Sequence, residues 1–144
     1  MIRALTVRQP WAAAIAYADK SVENRTWTTP YRGTLLLHSS KSIDRAANRH
    51  APMAAIVRGL QLDLGAVIAV ARITDVHEDD GECTAWSHSG HHHWVLDDVT
   101  PLPLPVPWKG ALQLWTPPAE LVEKVRLQLD DLTAVRLLDE SEAD

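Results

Sequence analysis

Residues 65–76, GAVIAVARITDV, constrain the fold more than any other stretch, because eight of the twelve are Ala, Val or Ile. Apolar residues at consecutive positions, rather than at every second one, predict a strand covered on both faces. The run is far short of the roughly 20 residues a membrane-crossing helix needs. The other long apolar stretch, 11–16, is shorter still. Further layers must therefore wrap a central strand, and 144 residues suffice for one such core. A content of 46% hydrophobic and 23% charged residues is an ordinary globular balance, which excludes a wholly disordered chain.

Other elements assemble around that strand. Residues 4–7 predict a first strand, and Pro10 followed by alanine-rich 11–18 predicts a short helix. Residues 21–27 are extended in character, TTPYRG at 28–33 is a turn, and 34–38 is a second buried strand. The spacing over 42–59 predicts a helix in two pieces, broken by Pro52 and stopped at Gly59. Residues 77–90 are polar and acidic, a surface loop, and 91–96 is a short strand. The alternating prolines of PLPLPVP at 101–107 cannot donate to a sheet, so that stretch is an edge or a polyproline-like connection. Residues 111–115 alternate as a strand. Pro117 and Pro118 then open a terminal helix whose Leu121, Val122, Val125, Leu129, Leu132 and Val135 fall at helical spacing, a face for core packing or for a partner. The expected fold class is α+β, a single domain over 1–138 built on a mostly antiparallel sheet or barrel, with an acidic tail at 139–144.

The net charge of −5 argues at first against a polyanionic partner. Its distribution reverses the argument. Residues 1–60 carry nine bases and three acids, a balance of +6; residues 61–129 balance to −6, and 130–144 to −5. A basic half points to a polyanion, a solvated face being the alternative. Cys83 is the only cysteine, so an intrachain disulfide is excluded. Arg8 and Gln9 interrupt the N-terminal apolar run, which does not read as a signal peptide. A cytoplasmic chain with no membrane partner is the expectation.

The densest polar constellation is Lys20, Glu23 and Arg25, with Arg8 and Gln9 upstream and Trp27 downstream. On an extended chain Glu23, Arg25 and Trp27 project to one face. A carboxylate between two cations stays ionised, and a desolvated lysine beside it has its proton affinity tuned for acid or base work. Lysine and arginine also contact phosphates, and tryptophan offers a stacking plane for a base. A structural ion pair on the sheet surface is the plainer alternative.

Residues 18–25, ADKSVENR, resemble the G-x-K-x-x-E-x-R signature of the ASCH domain family, within the PUA-like superfamily. LTVRQPW at 5–11, VENRTWTTPYRGTLLLHSS at 22–40, GAVIAVARITDV at 65–76, and HHWVLDD with PVPWKGALQLW between 92 and 115 resemble further family blocks in the same order, so the likeness covers about residues 2–116. Ala18 departs from the signature's glycine, a departure that Asp19 can absorb by taking the left-handed turn itself. The resemblance implies a small PUA-like β-barrel with peripheral helices and a cleft that binds RNA or a nucleobase. Lys20, Glu23 and Arg25 would line it, Arg8, Gln9, Trp11 and Trp27 would wall it, and Arg32 would add a basic contact.

Family members that remove acetyl from acetylcytidine use a lysine, a threonine three residues later and a distant acid. Here Lys20 matches, Glu23 stands in the threonine's place, and Glu78 and Asp75 are candidates for the acid. Other members are metal-dependent ribonucleases, so Lys20 and Glu23 are also candidate catalytic residues of a small hydrolase. No cofactor is required for binding; a ribonuclease would add a divalent metal. The partner is RNA or a nucleoside, and the chain is expected as a monomer or weak homodimer.

Residues His88, His91, His92 and His93 form a separate cluster. In a strand His91 and His93 share a face, a metal-capable spacing with Cys83 nearby. No C-x-x-C or H-E-x-x-H accompanies them, and Asp79, Asp80 and Glu82 serve equally as partners for protonated imidazoles. No metal site is therefore assigned, with His91 and His93 the pair to test. Nothing beside Cys83 marks an activated thiol.

Overall fold

The computed structural model describes residues 1–79, 81 and 83–139. The strands β1 (Arg3–Gln9), β2 (Val22–Arg25), β3 (Gly33–Ile43), β4 (Ala66–His77), β5 (His92–Pro107) and β6 (Leu114–Trp115) form one six-stranded sheet in the order β2-β5-β4-β3-β1-β6. Only β1 with β3 is parallel; every other pairing is antiparallel. The class is α+β, as expected, but the sheet is a curled half-barrel with two ends rather than a closed barrel.

The continuous apolar runs are explained by cover on both faces. Leu35, Leu37, Ile68 and Ile73 pack with Leu5, Val7 and Trp94 under α1 (Trp11–Tyr17). Between them Leu36, Val67 and Val70 point the other way, onto Leu121 and Val125 of α3 (Ala119–Arg126) and onto Leu137 and Leu138. With layers on both sides neither face has to be polar, so the period-2 signal vanishes from the sequence.

Three expectations are corrected. β3 runs on to Ile43, and helical structure begins only with the 3₁₀ turn Arg45–Arg49, capped by Asp44 Oδ1 on the Ala46 amide at 3.1 Å. The break falls at His50, and Pro52 sits inside the first turn of α2 (Ala51–Ile56), where its missing N–H costs nothing. The prolines at 101–107 bear out the edge reading: they belong to β5, with Pro101 opposite Ala69 and Pro107 opposite Ala66. They are tolerated because β2 covers β5 only from His92 to Val95, so the proline stretch has a sheet neighbour on one side alone. The terminal helix is two, α3 and α4 (Asp131–Ala134), because Asp130 accepts from the Thr133 amide at 2.8 Å and caps a new start. Leu121 and Val125 are buried, whereas Leu132 is 85% exposed and Val135 points outward; Leu137 and Leu138 take the core positions instead. The expected tail lies outside the described residues except Asp139, whose carboxylate meets Arg126 at 2.6 Å. No described helix is long and apolar enough to cross a membrane.

Candidate functional site

A tight turn after α1 sets the position of Lys20. Ala18 has φ −134° and Asp19 has φ +59°, so the left-handed residue is Asp19, a type that visits that region. Alanine at the signature's glycine position is therefore unstrained. The Lys20 amide donates to Ala14 O at 3.1 Å, and its side chain turns inward until only 1% remains exposed.

Inside, the carboxylate of Glu23 is divided between two cations. Lys20 Nζ donates to Oε1 at 3.1 Å, while Arg25 reaches Oε2 through Nε at 3.1 Å and Nη2 at 2.9 Å. Lys20 Nζ also donates to Val22 O and lies 5.7 Å from the Trp11 ring centroid. Burial pushes the Lys20 ammonium below the ordinary lysine value, against the pull of Glu23 in the other direction. Burial pushes Glu23 upward, but Lys20 and Arg25 together outweigh it and hold the carboxyl below its usual range. Glu23 is thus a buried, ionised acceptor.

Glu23 and Arg25 share a face because they are two apart on β2, whose partner β5 places Trp94 opposite Glu23. The triad opens into a cleft of about 340 Å³. Trp11 and Trp27 wall it: Trp11 Nε1 donates to Asp44 Oδ2 at 2.9 Å, and Trp27 packs edge-on against Trp94 with centroids 4.7 Å apart. Arg8, exposed at the rim, is 3.5 Å from Asp44. That indole bond, more than Arg8, holds the Asp44 carboxyl below its ordinary value.

Six of the eight residues expected at the site therefore meet in one place: Arg8, Trp11, Lys20, Glu23, Arg25 and Trp27. Gln9 is not among the lining residues: it is fully buried, accepts from the Ala13 amide at 2.9 Å and donates to Asp63 O at 2.7 Å, so it splices β1 to α1. Arg32 is also absent from the lining; it donates to Thr29 O and Tyr31 O and lies 3.9 Å from Asp75. The candidate distant acids Asp75 and Glu78 do not line the cleft either.

Among the described residues the carboxylate that does line it alongside Glu23 is Asp44, and Asn24, His88 and His91 line it too. Nothing local placed these residues at the cleft. Asp44 arrives from the far end of β3, and the histidines ride on the 78–91 loop, which Asn24 pins by donating to Trp86 O and accepting from the His88 amide, both at 2.9 Å. Burial, then neighbouring His50 and Lys20, hold His88 below the ordinary histidine value.

His91 and His93 do not form a pair. His91 lies before β5 and contacts Ser89 O, whereas His93 is buried with Nε2 2.8 Å from His88 O. Strand alternation could not bring them together because the strand starts only at His92.

No curated protein matches this chain. A family model described as the ASCH domain matches residues 5–104, a span that contains the whole Lys20–Glu23–Arg25 triad, all of β2 and the part of β5 that pairs with it. With that match covering more than half of the sequence, the chain belongs to the ASCH domain family, a family of PUA-like domains.

Proposed function

We propose that the cleft binds RNA by taking in one unpaired base or nucleoside, with flanking phosphates held on the basic N-terminal half. The observation that carries this reading is the cation–carboxylate–cation triad, with Lys20 and Glu23 buried and Arg25 half-buried, at the floor of a cleft walled by two tryptophans. A base edge offers both donors and acceptors, and an ionised carboxylate beside an ammonium and a guanidinium can answer both. A volume of about 340 Å³ is at the small end of the roughly 300–1,000 Å³ typical of ligand pockets, which suits one nucleoside rather than a stack of bases. Exposed Arg8 at the rim is placed for a phosphate. The curled sheet would serve as the PUA-like barrel framing this cleft.

Fluorescence anisotropy with a labelled single-stranded RNA tests the reading. Affinity should fall as salt rises, because each phosphate neutralised releases counterions. Arg8→Ala and Lys20→Ala should weaken binding, and Arg32→Ala should not. An affinity indifferent to salt, Arg8 and Lys20 would overturn it.

A second reading, hydrolysis of an acylated nucleoside or an RNA phosphodiester, draws on the lowered proton affinity of Lys20 beside Glu23. The cleft's carboxylates do not fit a divalent ion: Glu23 gives each oxygen to a cation, and Asp44 is engaged by Trp11 and Arg8. Incubation with acetylcytidine and with mixed RNA, with and without chelator, separates the readings. Binding without turnover in either assay leaves the first.

A further inference from the structure

His77 and His93 are direct cross-strand partners, the last residue of β4 opposite the second residue of β5. Their rings lie 5.2 Å apart between centroids. The 78–91 loop leaves one strand and returns to the other, and on the way it folds Cys83 back onto both. A ring nitrogen of His77, the sulfur of Cys83 and a ring nitrogen of His93 all lie within 4.8 Å of one another. These three residues share nothing with the cleft triad.

The His93 ring is already oriented for coordination. His93 is fully buried, and its Nε2 sits 2.8 Å from His88 O, so Nε2 carries the proton and the lone pair is on Nδ1. That Nδ1 faces Cys83 Sγ at 3.5 Å. His77 Nδ1 is 2.9 Å from Glu78 O, which ties that ring to the start of the loop. A peptide oxygen holding the second nitrogen is the arrangement that orders histidine ligands at metal centres. Bond lengths of about 2.3 Å to sulfur and 2.0–2.1 Å to nitrogen, at a tetrahedral angle, require a sulfur–nitrogen separation of about 3.6 Å. The Cys83–His93 edge meets that, and His77 has to move only within the 4.8 Å limit. Asp79 braces the surrounding loop, accepting from the amides of Gly81 at 3.1 Å and Gly90 at 2.7 Å.

We propose that His77, Cys83 and His93 form a binding site for a zinc-class divalent cation, with a fourth position open to water. One thiolate and two imidazoles favour zinc over magnesium, calcium or manganese, which prefer oxygen. Binding replaces the S–H bond with a metal–sulfur bond and releases the proton to solvent. The ion would clamp the 78–91 loop to the sheet, and that loop delivers His88 and His91 to the cleft wall. The site therefore stands whether or not the cleft binds RNA.

Titrating the reduced full chain with cobalt(II), followed by zinc displacement, tests it. The expected result is one cobalt per chain, tetrahedral visible bands and a thiolate-to-cobalt charge-transfer band, all removed by zinc. Cys83→Ser alters an exposed residue and should abolish the charge-transfer band. It should weaken zinc affinity by more than the roughly 10–100-fold typical of losing an outer partner. His77→Gln should weaken zinc equally, while His91→Gln and Lys20→Ala should bind as the parent does. Melting each metal-free variant checks that it folds, and zinc should raise the melting temperature of the parent and not of Cys83→Ser. Absence of the charge-transfer band in the parent, unchanged zinc affinity in Cys83→Ser, or loss of binding in His91→Gln would each overturn the proposal.

Discussion

Arg25 Nη2 donates to the main-chain oxygen of Thr6 at 3.0 Å, so a side chain of β2, at one end of the half-barrel, is fastened to β1, next to its other end. The same guanidinium holds Glu23. Arg25 is thus a tie across the opening of the sheet as well as a member of the cleft.

Arg25→Ala should therefore lower stability as well as change the cleft. It leaves Glu23 with one cation and Thr6 O without its donor, for a loss of about 2–4 kcal/mol. Arg25→Lys keeps the charge but cannot span both acceptors, and should fall between. Urea denaturation of the three proteins measures the order.

Lys20 and Glu23 should be strongly coupled. Lys20→Met leaves a buried carboxylate with Arg25 alone, and Glu23→Leu leaves the buried Lys20 ammonium facing the half-buried Arg25 guanidinium. Each single change should cost about 3–5 kcal/mol. The double variant should cost less than the sum, with a coupling of about 1–3 kcal/mol. Additive losses in a double-mutant cycle would show that the pair contributes no joint energy.

His38 should make stability fall on mild acidification. Its Nε2 donates to Trp108 O at 2.7 Å and its Nδ1 accepts from Thr6 Oγ1 at 3.2 Å, which in turn accepts from Trp115 Nε1 at 3.2 Å. Every position in that chain requires a neutral ring. Burial, only partly opposed by the bond to Trp108 O, lowers the His38 pKa below the ordinary 6.5. The folded chain then binds this proton less readily than the unfolded one. The stabilising contribution is complete above about pH 6.5 and is lost as pH falls from there through the folded value, at no more than about 1.4 kcal/mol per pH unit for one group. Stability of the parent and of His38→Gln, measured from pH 7.5 to 5, should show a smaller slope in the variant, with His88 supplying part of what remains.

Gly110 should not tolerate a side chain. A Cβ there would lie 2.7 Å from His38 Cε1 and from Thr6 Oγ1, against the same network. Gly110→Ala should cost about 1–3 kcal/mol. Gly59→Ala, where nothing lies within 4 Å, should be neutral or stabilising by up to about 1 kcal/mol. Thermal melts of both variants compare the two sites directly.

Much of this was legible in the chain. The apolar run at 65–76 is the central strand β4, buried on both faces. Glu23 and Arg25 share a face, and Asp19 takes the left-handed turn that Ala18 does not. A single long terminal helix and two short ones look alike in the chain, because the periodicity of Leu132 and Val135 is the same whether or not Asp130 restarts the helix between them and Leu121.

Neighbouring residues alone set strand alternation, the both-faces burial of continuous apolar runs, the turn at Asp19 and the closeness of Lys20, Glu23 and Arg25. Tertiary structure alone decided the parallel seating of β1 on β3, the arrival of Asp44 in the cleft, the tie from Arg25 to Thr6, and the meeting of His77 with Cys83 and His93. Those contacts depend on sheet register and loop path, which join residues that belong to different elements. Local periodicity carries a residue's face along its own element, and only the folded register says which other element that face will meet.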